Sequence, residues 1–293
     1  MSLEQLAPHT WMYTGVITFG VVERDGRCIL IETGAGEGSA KKCHEAICKQ
    51  GWQLAAVLCT HAHADHIGGH AWLQNHTEAQ IYATIAQRGL MENALTEAWM
   101  LFGASPPDAM RLQFLEAKPC RVDHTLAPGL VDIAGIPMES MPAPGHSMDS
   151  ILWRSPDGVV FGGDALFPQT TVAKYKVSYY EDVIAYRQTM EALAHMPPSV
   201  WVWAHAGAMT DIRPLIAMNR QGLDAVEAKI VSLLPATTED IMARLSQIWD
   251  IPLNMVQYHL LRVSVQAHLV ALQRQGRAAF EVGNRLVWQP IGE

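Results

Sequence analysis

Four times along this chain an apolar run stops at a cluster of small residues that carries a histidine or an aspartate. Leu54-Ala55-Ala56-Val57-Leu58 leads into Thr60-His61-Ala62-His63-Ala64-Asp65-His66-Ile67-Gly68-Gly69, and the segment ending near Met141 leads into Pro144-Gly145-His146-Ser147. Val159–Phe161 leads into Gly162-Gly163-Asp164, and Trp201-Val202-Trp203 into Ala204-His205-Ala206-Gly207. Short apolar runs bounded by glycine or polar clusters read as buried strands. The polar residues therefore sit at strand ends. In an extended chain alternate side chains share a face, so His61, His63 and Asp65 converge while His66 turns elsewhere as the backbone leaves the sheet. Neutral imidazoles with a carboxylate suit a borderline divalent ion such as zinc, and the spare positions suit a second ion. A histidine-rich surface loop is the bland alternative. His146, Asp164 and His205 are weak signals singly, because a lone histidine at a strand end is more often a hydrogen-bonded structural residue. Together with the first cluster they supply the missing ligands for two metals.

The rest of the chain reads as a layered α/β pattern. Asp25-Gly26 marks a hairpin between strands at Gly15–Glu23 and Cys28–Glu32, and Ser39 is placed to cap a helix running to about Gln50 and ending at Gly51. Gly34 to Gly38 lacks the Lys-Ser/Thr pair of a phosphate-binding loop and is taken as a turn. A helix with Trp72 and Leu73 on its buried side follows the His cluster. Residues 83–118 turn helical and Met-rich, with Met91, Trp99, Met100, Phe102 and Met110 around Ser105-Pro106-Pro107. That insert reads either as an adaptable pocket lining or as helical core. Strands resume at Leu130–Ala134, Pro137–Met141, Ile151–Arg154 and Val159–Phe161. The tail reads as a helix over Met218–Leu234, a helix start at Thr237-Thr238-Glu239-Asp240, a helix pair near Val256–Val263 and Val265–Gln275, and a hairpin from Phe280 to Trp288.

Size and charge narrow the function. The 293 residues suit one large α/β domain with an appendage, and the first residues lack the basic-then-apolar pattern of a secretory signal, so a cytoplasmic location is expected. No apolar run approaches a membrane span. Five cysteines (Cys28, Cys43, Cys48, Cys59, Cys120) without a CxxC pair argue against a disulfide framework or a thiolate zinc knuckle, and read as reduced structural residues. A net charge of −8 disfavours a broad nucleic-acid or anionic-membrane surface.

His61-x-His63-x-Asp65-His66, followed by His146, Asp164 and His205, resembles the binuclear metal signature of the metallo-β-lactamase fold superfamily over roughly the first 215 residues. The resemblance implies a four-layer αββα sandwich, an α/β (α+β) fold, with metals at one edge between two sheets. It assigns His61, His63 and His146 to a first ion and Asp65, His66 and His205 to a second, with Asp164 bridging both. The ions implied are two divalent metals, zinc first, with iron or manganese as alternatives. Two departures stand out. Glu32 occupies the place of the family's usual aspartate in a supporting position, and His205 lies between two alanines instead of two glycines. The tail resembles the winged-helix tail of lactamase-β-like hydrolases, some of which cut RNA, but its arginines and acids balance. A packing or dimerisation module that walls the active site is favoured over a nucleic-acid reader. The division expected is a catalytic domain over 1–213 and a winged-helix-like domain over 214–293.

On that basis the expected chemistry is metal-dependent hydrolysis by a bridging hydroxide oriented by Asp65. The substrate expected is a small-molecule ester, thioester or lactone, in keeping with an acidic protein that has an apolar insert. A single-strand endoribonuclease is the alternative, and an iron-dependent persulfide oxygenase a less favoured one.

Overall fold

The computed structural model describes residues 3–93 and 95–291, so the first two residues, Ala94 and the last two lie outside the description. The backbone divides into two compact units. The first comprises Met1–Ala143, Asp149–Ala165 and Pro197–Ile212, and the second Pro144–Met148, Leu166–Met196 and Arg213–Glu293.

The first unit is built on two sheets. One runs in spatial order through β1 (Leu3–Ala7), β2 (Thr10–Thr14), β3 (Thr18–Arg24), β4 (Arg27–Ile31), β5 (Gln53–Leu58), β6 (Gln80–Thr84) and β7 (His124–Leu126). Its first four strands pair antiparallel and its last four parallel. Helix α1 (Glu37–Lys49) makes the crossover from β4 to β5; α2 (Ala64–Ile67) and α3 (His70–His76) follow β5, and α4 (Ile85–Met91) and α5 (Thr96–Phe102) follow β6. The other sheet runs β13 (Gly207–Met209), β12 (Trp201–Trp203), β11 (Val160–Gly163), β10 (Ile151–Arg154), β9 (Ile136–Pro142), β8 (Gly129–Ile133), with only β11 and β12 parallel.

Strand alternation explains the layering. In β4, Cys28 and Leu30 join Val21, Val57 and Ile81 against Cys43 and Ile47 of α1 and Leu73 of α3. The intervening Ile29 and Ile31 join Val22, Ala56 and Leu58 against Ile133, Met138, Trp153, Phe161 and Val202 of the other sheet. The central strands are thus apolar on both faces, which is why they read as unbroken apolar runs.

The second unit holds α6 (Gln169–Tyr175), α7 (Val183–His195), α8 (Arg213–Leu233), α9 (Thr238–Trp249), α10 (Met255–Arg274) and the hairpin β14 (Ala278–Val282) with β15 (Leu286–Pro290). Its core joins Val226 and Ile230 of α8, Ile241 and Leu245 of α9, Leu261, Val265, Leu269 and Leu272 of α10, and Trp288 of the hairpin.

Several local expectations are corrected. Ser39 does not cap α1; the helix starts three residues earlier than a Ser39 cap would place it, with Gly36 at its N-cap. The tail's helix pair is one continuous helix, α10, within which the Ser264 hydroxyl donates to the Leu260 carbonyl one turn back. Trp72 is only partly buried beside the fully buried Leu73. The insert splits: Met91 and Met110 lie in the core, while Trp99 and Met100 are about half exposed. Cys48 is exposed, whereas the other four cysteines are buried. Among the described residues no helix is long and apolar enough to cross a membrane.

Candidate metal centre

Parallel pairing puts the site together. β4 and β5 are parallel neighbours, so Glu32 and the segment Thr60–His66 leave the first sheet at the same end. β11 and β12 are parallel neighbours too, so Asp164 and His205 leave the second sheet side by side. The sheets are stitched there: the Ile151 amide donates to the Thr60 carbonyl at 2.8 Å and the Thr18 amide to the Ala204 carbonyl at 2.7 Å.

The ligand loop leaves extended conformation sooner than alternation implies. His63 is the N-cap of α2, so Asp65 and His66 lie on a helical turn. This corrects the expectation that His66 turns away from the cluster, for His66 is its centre. One ligand atom each from His61, His66 and Asp164 lie within 4.8 Å of one another, and so do those of Asp65, His66 and His205. His63 brings its ring to 4.5 Å from that of His61, nearly perpendicular to it. His146 belongs to the second unit, where its Nδ1 lies 3.0 Å from the Tyr179 carbonyl and its ring packs on Phe167 and Tyr179. A donated Nδ1–H there leaves Nε2 as the nitrogen with a lone pair.

Glu32 resolves the first departure from the family pattern. It is buried and has a left-handed backbone (φ 72°). From there Oε1 accepts the Thr60 amide N–H at 2.8 Å, and Oε2 lies 2.9 Å from Nδ1 of His66. One carboxylate therefore holds both ends of the ligand loop and fixes the His66 tautomer, leaving Nε2 for a ligand. The second departure costs no strain: neither Ala204 nor Ala206 has positive φ, and Gly207 takes it instead (φ 68°). Close approach elsewhere does require glycine. A Cβ on Gly163 would stand 2.0 Å from the Thr60 hydroxyl, so its smallness serves the ligand loop as much as an ion.

The electrostatics call for a cation. Nε2 of His66 is buried with no hydrogen-bond partner among the described residues, 3.7 Å from Oδ1 of Asp164 and 3.8 Å from Oδ2 of Asp65. Nε2 of His205 stands 3.4 Å from Oδ2 of Asp164 and 4.0 Å from Oδ2 of Asp65. Charge-assisted hydrogen bonds are shorter, about 2.7–2.9 Å. Ligand atoms around one tetrahedral zinc, each about 2.0–2.1 Å from it, stand about 3.3 Å apart, so this spacing fits an ion. Burial pushes the His66 imidazole toward neutrality, but the carboxylates of Glu32, Asp65 and Asp164 outweigh it and raise its pKa well above the ordinary value. Burial alone would raise Asp164; His66 and His205 hold it well below the carboxylate range instead. His205 is raised by Asp164 against its own burial. In metal-free protein, protons supply the positive charge that the carboxylates demand. The residues fit a divalent ion.

Two further residues hold the loop and leave no local trace in the sequence. Asp149 accepts the Ala62 amide N–H through Oδ2 at 2.9 Å, and Gln87 donates to the Thr60 carbonyl at 3.2 Å. Their partners lie 87 and 27 residues away, beyond any periodicity.

A mixed α/β sandwich with a histidine and aspartate cluster at one strand edge defines the class. The family model for the metallo-beta-lactamase superfamily matches residues 13–205, and the chain belongs to that superfamily. It is 31% identical over 149 residues to a hydroxyacylglutathione hydrolase of Xanthomonas campestris pv. campestris, covering 51% of this chain and 46% of the relative. It is 30% identical over 146 residues to the probable metallo-hydrolase YqgX of Bacillus subtilis, covering 49% and 63%. The match thus spans about half the length of such relatives. Among solved structures, a beta-lactamase domain protein from Burkholderia ambifaria superposes with a TM-score of 0.76 at 20% identity, over 98% of this chain and 93% of that one. The metallo-beta-lactamase family protein TTHA1429 from Thermus thermophilus gives 0.75 at 18%, over 98% and 100%. These likenesses are of fold.

Proposed function

We propose that the protein is a metal-dependent hydrolase that cleaves a small-molecule thioester, ester or lactone, with a thioester first. The observation that carries this reading is the buried Nε2 of His66 set between the carboxylates of Asp65 and Asp164 at ion-compatible spacing. By the family pattern His61 and His63 would help to hold one ion and Asp65, His66 and His205 a second, with Asp164 a ligand as well; zinc suits this donor set of imidazoles and carboxylates. Such ions, when bound, acidify coordinated water and polarise an acyl oxygen. Asp65 is the more open of the two carboxylates, 26% exposed against 7% for Asp164, so its Oδ2 is the one positioned to accept a hydrogen bond from attacking water. Asp164, buried between His66 and His205, holds those two rings in register. Glu32 keeps the proton of His66 on Nδ1. The relatives named hydroxyacylglutathione hydrolase support an acyl-thiol substrate.

A panel of thioester, ester, lactone, phosphodiester and persulfide substrates tests the proposal. Thioester or lactone turnover that chelator removes and zinc restores is expected, with the rate lost in Asp65→Ala. Cleavage of single-stranded RNA with no acyl turnover would overturn it in favour of a nuclease reading of the tail.

A further inference from the structure

Helix α4 opens with a capping box. The Thr84 hydroxyl accepts the Gln87 amide N–H at 3.2 Å, and Oε1 of Gln87 accepts the Thr84 amide N–H at 2.9 Å. A capping box asks only for an acceptor at this position, and glutamate serves as well as glutamine. The other end of this side chain decides between them. Gln87 is fully buried, and its Nε2 donates to two backbone carbonyls, Thr60 and Asp149, each at 3.2 Å. A carboxylate there would set an oxygen against both carbonyls, so only the amide satisfies the site.

Those two carbonyls bracket the ligand loop. Thr60 is gripped at its N–H by Glu32 and at its carbonyl by Gln87 and the Ile151 amide. Two residues on, the Ala62 N–H is gripped by the Asp149 side chain. His61 therefore lies between two fixed peptide groups, and one carboxamide ties Thr60 to Asp149.

We propose that Gln87 is a positioning residue of the metal centre: its carboxamide sets the path of Thr60–Ala62, and so the aim of His61 and His63, and it couples the start of the 83–118 insert to the ligand loop. The inference rests on the metal-dependent reading above. Gln87→Glu separates its two roles, because it keeps the cap acceptor and loses both donors. Gln87→Met loses all of them, and Thr84→Val weakens the cap while leaving the amide in place.

The experiment measures zinc affinity by competition with a chromophoric chelator at pH 8, together with the thermal midpoint. Both Gln87 variants are expected to bind zinc about 10-fold more weakly or worse. Thr84→Val is expected to lower the thermal midpoint without changing zinc affinity. Wild-type affinity in both Gln87 variants overturns the proposal. A wild-type protein that binds no zinc refutes the metal-dependent reading instead, a separate outcome. Hydrogen exchange of the Gln87 side-chain amide in the wild type is an independent check: slow exchange is expected, and fast exchange overturns the proposal even if no variant folds.

Discussion

The two compact units each bury a charged network, and the two networks are finished differently. In the second unit, Glu227 of α8 is 3% exposed, and both its oxygens are paired: Oε1 with Arg187 of α7 at 3.1 Å and Oε2 with Arg277 at 3.0 Å. Arg187 also reaches Asp224 at 2.7 Å. Every ion-pair contact there is short, so the Glu227 carboxylate is closed and ties α7, α8 and the start of the hairpin together, although the buried Nε of Arg187 has no hydrogen-bond partner among the described residues. In the first unit, Glu32 is closed in the same way, but the face of His66 turned toward Asp65 and Asp164 is spaced at 3.7–3.8 Å. A closed buried network holds a fold; one left open at ion spacing holds a ligand.

Substitutions can break that comparison on either side. The largest effect is expected at the open network. Asp164→Asn should weaken zinc binding by more than about 100-fold, beyond the 10–100-fold typical of a supporting residue, and remove activity with it. Equilibrium dialysis with metal analysis checks this, and stoichiometric metal in the variant would contradict the assignment. At the closed network, Glu227→Ala leaves two arginines without their shared acceptor. Because those arginines are partly exposed, the loss should be about 2–3 kcal/mol of unfolding free energy in urea, somewhat under the value for a fully buried pair. Its zinc affinity should match the wild type. Glu32→Gln sharpens the contrast further. The amide oxygen can still accept the Thr60 N–H, which turns Nε2 toward Nδ1 of His66 and forces the ring's proton onto the nitrogen meant for the ion. About 10-fold weaker zinc binding is expected, with little change in stability. Nitrogen chemical shifts of His66 report the tautomer directly.

What was legible in the sequence divides along the same line. The strands carrying His61–His66, Asp164 and His205 could be read because strands buried on both faces are continuous apolar runs, and their ends are marked by small residues. The Asp25-Gly26 turn was legible for a similar reason, since both residues take the left-handed backbone angles that this dipeptide favours. The opening strands β1 and β2 and helices α6 and α7 carry weaker patterns and were not anticipated. Strand alternation alone turned His66 away from the cluster, because it fails one residue after the helical turn begins at Ala64, and it was the family resemblance that named His66 as a ligand. Gln87, Asp149 and the closed network at Glu227 depend on partners at least 27 residues away, or on three separate elements. No window of local sequence holds that information.

Two buried imidazoles carry the comparison to its smallest expected effect. His66 has its pKa raised by three carboxylates, whereas His268 of α10, also fully buried, has neither ring nitrogen hydrogen-bonded among the described residues. Burial, helped by the nearby Arg187 charge, lowers the pKa of His268 to about 3. The folded protein therefore keeps His268 neutral, while the unfolded chain protonates it below its ordinary value near 6.5. Folded pKa below unfolded pKa means that its stability contribution is complete above about pH 6.5 and is lost as pH falls toward 3, at up to about 1.4 kcal/mol per pH unit. His268→Leu removes this slope and leaves the titration of every other group in place. The difference between wild type and variant should be flat from pH 7 to 8 and then move in the variant's favour between pH 6 and 4, measured by urea unfolding at each pH. A difference that stays flat down to pH 4 would show that the imidazole takes up its proton as readily in the folded protein as in the unfolded chain, and would overturn the reading of His268 as held neutral by burial.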